Sequence, residues 1–187
     1  MDYKEYPVPK EVRHLVESYW TNILHPDDFK QDYDYIIPEG STDAIFMLNG
    51  NYLRGDKRND SQHLVEYCSL VPSFNKAVKV YQKPFTQLLG VKFKPGAVQQ
   101  LSGVSLSELR DAAYPLEHIL PELADLVMAE VFKKTSIPKI LEKISSWLFS
   151  QAKEPLQNHL TSAFMARVIK QKGSILISSF CDSFGMH

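Results

Sequence analysis

The stretch LLGVKFKP, residues 88–95, constrains this chain more than any other. Its alternation sends Leu89, Val91 and Phe93 one way and Lys92 and Lys94 the other, the period-two pattern of a half-buried strand. Pro95-Gly96 follows at once, and beyond it the apolar period lengthens to about 3.6, that of a helix. A strand-forming half is therefore followed by a helix-forming half. Upstream, YDYIIP (33–38) and DAIFML (43–48) are short apolar runs separated by Glu39-Gly40-Ser41-Thr42, all turn formers. Asn49-Gly50 between apolar residues is the strongest short hairpin signal. HLVEYCSLV (63–71) reads as one alternating strand, and AVKVYQ (77–82) places Val78 and Val80 on one face. Some five to seven short strands in about 100 residues suggest a closed or two-sheet β architecture.

Downstream, Ser105 and Glu108 make a capping box for a helix start. Residues 121–134 open on a proline and close on lysines, as a helix prefers. Ile137, Ile140, Leu141, Ile144 and Leu148 form one apolar stripe. Residues 156–173 place Leu160, Phe164, Val168 and Ile169 on one face, with Gly173 after a basic last turn. Residues 150–155 form the expected linker. Residues 11–24 fit either a helix, through Val12, Leu15, Val16, Tyr19 and Ile23, or a strand, through the alternation around Trp20.

The totals exclude several classes. A net charge of −1 over 187 residues provides no electrostatic footprint for nucleic acid in the chain as a whole. There is no run of about 18 apolar residues for a membrane span, and the first residues carry no signal-peptide core. Cys68 and Cys181 are expected as free thiols in a reducing cytosol, which makes the expected location cytoplasmic. The six histidines have no metal-ligand spacing, so neither a metal nor another cofactor is expected. No phosphate loop or nucleophile elbow is present, and no catalytic residue is assigned. Cys68 reads as a core residue. Glu39 and Asp43, four apart around a turn, can be turn formers, ligand contacts or an acid–base pair. Trp20, Tyr33, Tyr35, Phe46, Tyr67 and Tyr81 fall on expected strands; they pack a solid core or line a pocket for a small organic molecule. Trp20, Glu39, Asp43 and Phe46 are the candidate ligand-binding residues.

Two segments carry a family resemblance. GSILISSFCDSFGMH, residues 173–187, resembles the opening half of the first helix-turn-helix of AraC-type (AraC/XylS) transcriptional regulators. Gly173, Ile175, Ile177, Phe180, Cys181, Phe184, Gly185 and Met186 match its pattern of helix-ending glycine, alternating apolar residues, short helix and turn glycine. Phe180 and Cys181 stand where that family commonly has Leu-Ala. Ile177, Phe180, Cys181 and Phe184 have the spacing of one buried face. Tyr19-Trp20, IIPEGSTDAIFML and GVKFKPGAVQQLSGVSLSELRD resemble, in order, the sensor domain that precedes this motif in one branch of the family. The resemblance implies an α+β fold: a small cupin-like β-barrel or sandwich followed by a helical segment, plus the first helices of a helix-turn-helix domain. Residues 1–150 would form the effector-binding and dimerisation domain, and 151–187 the linker and the start of the DNA-binding domain, with Gly173, Ile177, Phe180, Cys181, Phe184 and Gly185 as its scaffold. It further implies a small-molecule effector, a homodimer, DNA contact in the full-length protein only, and no enzyme activity; residues 121–149, with more apolar residues than one stripe needs, are the expected dimer face. The sequence is expected to stop where the recognition helix should begin, leaving the last helix frayed or packed on a neighbour. The alternative is a complete cupin-like binding protein or enzyme without DNA binding.

Overall fold

A computed structural model describes residues 1–28, 34–37, 40–50, 52–55, 62–64, 67–73, 77–105, 109, 112–151, 164, 167–168 and 170–183. The chain divides into two compact units, Met1–Ala152 and Lys153–His187. In the first unit the strands are β1 (Asp2–Tyr6), β2 (Val16–Ile23), β3 (Asp34–Ile36), β4 (Thr42–Asn49), β5 (Tyr52–Gly55), β6 (Gln62–Leu64), β7 (Cys68–Val71), β8 (Val78–Gln82), β9 (Gln87–Phe93) and β10 (Tyr114–Pro115). The helices are α1 (Ala97–Ser102), α2 (Pro121–Phe132) and α3 (Ile137–Gln151), with a short 3-10 turn at Lys10–Val12. All strand pairs are antiparallel. One sheet has the order β1-β2-β9-β4-β7-β10, the other β3-β8-β5-β6.

The ambiguous segment 11–24 is a turn and then a strand. Tyr19 and Trp20, consecutive on β2, point to opposite faces of the larger sheet, which a helix would not allow. Two readings of the sequence are corrected. Asn49-Gly50 does turn the chain, with Gly50 at φ 84°. Yet β4 pairs with β7 and β9, and β5 with β6 and β8, so the turn passes the chain between sheets rather than closing a hairpin. A Cβ at Gly50 would lie 2.8 Å from Thr86 Oγ1, so the backbones meet there too closely for a side chain. Likewise HLVEYCSLV is not one strand. It supplies β6 to one sheet and β7 to the other, because alternation alone does not reveal where a chain crosses over. Part of the proposed Ser105–Glu108 helix start lies outside the described residues, as do Tyr33, most of the linker and most of 156–173.

The central strands β2, β9, β4 and β7 of the larger sheet are covered on both faces. On one face the rungs Tyr19–Val91–Ala44–Leu70 and Leu89–Phe46 run across β2, β9, β4 and β7. Each of these side chains is fully buried. They pack toward α2 and α3, where the Tyr19 hydroxyl lies 2.9 Å from Ser145 Oγ. Ser145 has one hydroxyl proton and donates it to the Leu141 carbonyl at 2.8 Å, so Tyr19 is the donor to Ser145. Burial holds the Tyr19 phenol above its ordinary pKa. The expected α3 stripe is buried at Ile140, Leu141, Ile144 and Leu148. Burying such a side chain stabilises by about 1.5–3 kcal/mol, so this face is a large source of stability.

Pro121 opens α2 at a position where its missing N–H leaves nothing unsatisfied. The joint between α2 and α3 is held by Glu130. Its carboxylate accepts from Lys143 Nζ at 2.7 Å, Thr135 Oγ1 at 2.8 Å and Lys133 Nζ at 3.1 Å. The second unit contains α4 (Ile177–Ser183) and helical residues at Phe164, Arg167, Val168 and Lys170. Lys172 (φ 51°) and Gly173 (φ 82°) end the earlier helix, with the Gly173 N–H donating to the Val168 carbonyl. Phe180 is buried, its ring meeting Phe164 edge-on at 4.8 Å, and Arg167 donates to Ser183 Oγ at 3.0 Å.

The Lys143, Thr135 and Lys133 contacts, in that order, lower the Glu130 pKa from 4.5 to about 2. A depressed folded pKa means that the stabilisation is complete above the unfolded value and is lost as pH falls through the folded one. Glu130→Gln is expected to lower the melting temperature by several degrees at neutral pH. The gap to the parent protein should close as pH falls from 4.5 toward 2. Thermal unfolding across that range checks this; a gap independent of pH would refute the charge-based account.

Candidate functional site

The opposite face of the larger sheet looks toward the smaller sheet. Its rungs are Ser18–Lys92–Asp43–Val71, Trp20–Gly90–Ile45–Ser69 and Asn22–Leu88–Met47. Ile45, Met47, Val71 and Leu88 form a buried cluster, against which pack Trp20, Ala113, and Ile36 and Val78 of the smaller sheet. The inward face is thus apolar at its centre, with polar groups on three strands.

Trp20 is fixed from three directions. Its ring lies against Gly90 so closely that a Cβ there would overlap the indole. Its Nε1–H donates to Asp43 Oδ1 at 3.1 Å, while Asp43 Oδ2 accepts from Ser41 Oγ at 3.1 Å. Tyr3 of β1 stacks on it with centroids 6.1 Å apart. Among the described residues, two polar atoms on the same face, Ser69 Oγ and Asn22 Oδ1, have no hydrogen-bond partner. Ser69 is only 2% exposed. A buried polar atom left unpaired costs about 1–3 kcal/mol, which a water or another hydrogen-bonding group seated there would recover.

Of the four ligand-contact candidates, the structure brings Trp20 and Asp43 together and separates Phe46 from them. Phe46 is three residues from Asp43 on β4, hence on the other face, fully buried in the helix-side core. Glu39 lies outside the described residues. Asn22, Ser69, Gly90 and Lys92 were missed as members of this face. Gly90 carried a signal, since a glycine inside a strand run marks a close approach; Ser69 carried none. In the second unit, Gly173 ends a helix, Phe180 is buried and Cys181 half-buried, whereas Ile177, which opens α4, is 67% exposed. The common buried face expected for Ile177, Phe180 and Cys181 is therefore centred on Phe180. Phe184 and Gly185 lie outside the described residues. Cys68 and Cys181 are free thiols. Among the described residues, no group of three or more His, Cys, Asp or Glu could hold a metal ion, and no helix is long and apolar enough to cross a membrane.

Residues 4–115 match the family model described as a domain of unknown function, DUF6597. The chain belongs to the DUF6597 family. Its fold here is α+β, two antiparallel sheets followed by helices. A phosphate acyltransferase of Bacillus cereus strain G9842 is 29% identical over 120 residues, 61% of this chain and 36% of that protein. The chain thus spans about a third of the length of the curated relatives it matches (36%). Among solved structures, the hydroxypropylphosphonic acid epoxidase of S. wedmorenis in complex with fosfomycin is 18% identical, with 49% of this chain and 50% of that chain covered and a TM-score of 0.33. An apo variant of ToxT from Vibrio cholerae is 9% identical, covering 90% of this chain and 71% of that one, with a TM-score of 0.48.

The seat of Trp20 in this DUF6597 domain can be tested directly. Gly90→Ala must push the indole off β9 and break its bond to Asp43, at a cost of about 1–3 kcal/mol for overpacking. In a Trp147→Phe background, which leaves Trp20 as the single indole, the emission should shift to the red and the unfolding midpoint should drop. Unchanged emission would mean that Trp20 does not lie on Gly90.

Proposed function

We propose that this domain is the effector-sensing part of a transcriptional regulator, taking a small organic molecule on the inward face of the larger sheet. The observation that supports this most directly is the pair of unpartnered polar atoms, Ser69 Oγ and Asn22 Oδ1, beside an otherwise apolar surface. The corresponding ligand has an apolar body that rests on Trp20, Ile45 and Leu88 and a hydrogen-bonding group that reaches Ser69 or Asn22. Asp43 positions Trp20 rather than contacting the ligand through a free oxygen. The domain is read as non-catalytic and cytoplasmic, and as working in a homodimer. Regulation follows by linkage: a ligand that binds two arrangements of the dimer unequally shifts their populations and so the presentation of the DNA-binding domains. DNA contact is assigned to the full-length protein through a helix-turn-helix to which residues 153–187 contribute, with Phe180 on Phe164 as part of its scaffold.

Ser69→Ala separates binding from folding. Removing an unpaired buried hydroxyl should leave the unfolding midpoint unchanged or higher. The affinity for an effector found by thermal-shift screening of small organic acids, amides and phenols should fall about tenfold, roughly 1.4 kcal/mol. A screen in which no molecule stabilises the domain or alters Trp20 emission, with a stable dimer in solution, would leave dimerisation without ligand sensing as the better account.

A further inference from the structure

A cavity lies on the helix side of β2, between the Lys10–Val12 turn and α3, with a volume of about 540 Å³. That volume is within the usual range for small-molecule sites. The floor is apolar, formed by Val12 and Leu141 beside Tyr19. Pro9 and Pro138 stiffen the two walls. Phe149, 62% exposed, and Tyr6 offer aromatic surface at its edges. Each wall also carries one carboxylate, Glu11 on the turn and Glu142 on α3. Neither takes part in a hydrogen bond or ion pair. Of the neighbouring cations, Arg13 Nε donates to the Val8 carbonyl and Lys143 is held by Glu130, while Lys10 and Lys139, beside Glu11 and Pro138 in sequence, are exposed. Lys4 Nζ sits 4.9 Å from the Tyr6 ring centroid, so an ammonium already rests on aromatic surface at this edge.

We infer that this cleft binds a small organic cation, an apolar or aromatic body bearing one amine or quaternary ammonium. Its body covers Val12 and Leu141, and its charge lies between Glu11 and Glu142 against the ring of Phe149, since Lys4 already rests on Tyr6. A neutral ligand forgoes the two carboxylates and the ring quadrupole, and an anion is repelled by them. The site is independent of the inward face of the sheet, since Tyr19 lines it and Trp20 lines the other.

Calorimetric titration of the full 187-residue chain with benzyltrimethylammonium, benzyl alcohol and phenylacetate tests this. The cation should bind saturably and about tenfold more tightly than the other two, in keeping with an exposed cation–aromatic contact added to two exposed charge contacts. Glu11→Gln with Glu142→Gln, both at exposed positions, should weaken the cation about tenfold or more without altering the fold. Phe149→Ala should weaken it as well, and Ser69→Ala should leave it unchanged. Equal or tighter binding of phenylacetate, an unaltered affinity in the double carboxamide variant, or no saturable binding of the cation would each overturn the assignment. Loss of binding in Ser69→Ala would move the cation to the inward face and overturn it equally.

Discussion

The four central strands of the larger sheet have no solvent face, and the rest of the first unit follows from that. Antiparallel sheets commonly leave one side wet, and their strands then read as apolar in, polar out. Here β2, β4, β7 and β9 each supply two sets of side chains. Tyr19, Phe46, Leu70, Leu89 and Val91 meet the helices; Trp20, Ile45, Met47, Val71 and Leu88 meet the smaller sheet. A one-residue slip of any of these strands would exchange the two sets. Phe46 would then intrude between the sheets, and Trp20 would collide with α3. Register is therefore specified from both sides, and the Gly90 seat and the Trp20–Asp43 bond add a third constraint on it.

The same property explains what could be read from the sequence and what could not. α2 and α3 were legible because each has a plain signal, a proline at the start and lysines at the end of α2 and one apolar stripe in α3. β9 was legible for its alternation, although Lys92 looked like a solvent-facing residue and sits on the inward rung between Ser18 and Asp43. Its side chain reaches toward Glu17, at the bulge in β2, and is only 21% exposed. β1 was not legible: DYKEY is mostly exposed and holds its place as an edge strand through pairing with β2 rather than through burial.

Of the candidate site, the acids and aromatics stood out by type, and only the pleat decided which face each served. Trp20 and Asp43 shared a face; Phe46 did not. Sheet assignment was the least legible level of all, since β4 to β5 and β6 to β7 both cross between sheets. Local patterns describe what a segment is, and crossover is a matter of which distant segment it meets. Ser69 illustrates the limit: nothing distinguishes it locally from any other serine in a strand, and its importance arises from Ile45, Gly90 and Trp20 brought beside it by three pairings.

The bond from Trp20 to Asp43 has one more consequence. Because the indole N–H is already committed, Trp20 presents only its hydrocarbon and its ring face to a guest. Surfaces of that kind separate members of a homologous series weakly, by about 10–200-fold per methylene, whereas a site that hydrogen-bonds its guest can reject a molecule lacking the matching group by about ten-thousandfold. On the proposed reading, breadth and sharpness of response would be divided among different residues: Trp20 would tolerate variation in the carbon skeleton, and Ser69 and Asn22 would decide which functional group is admitted. Evolution could retune such a detector to a new functional group by changing those two small side chains, leaving the tryptophan and its seat untouched.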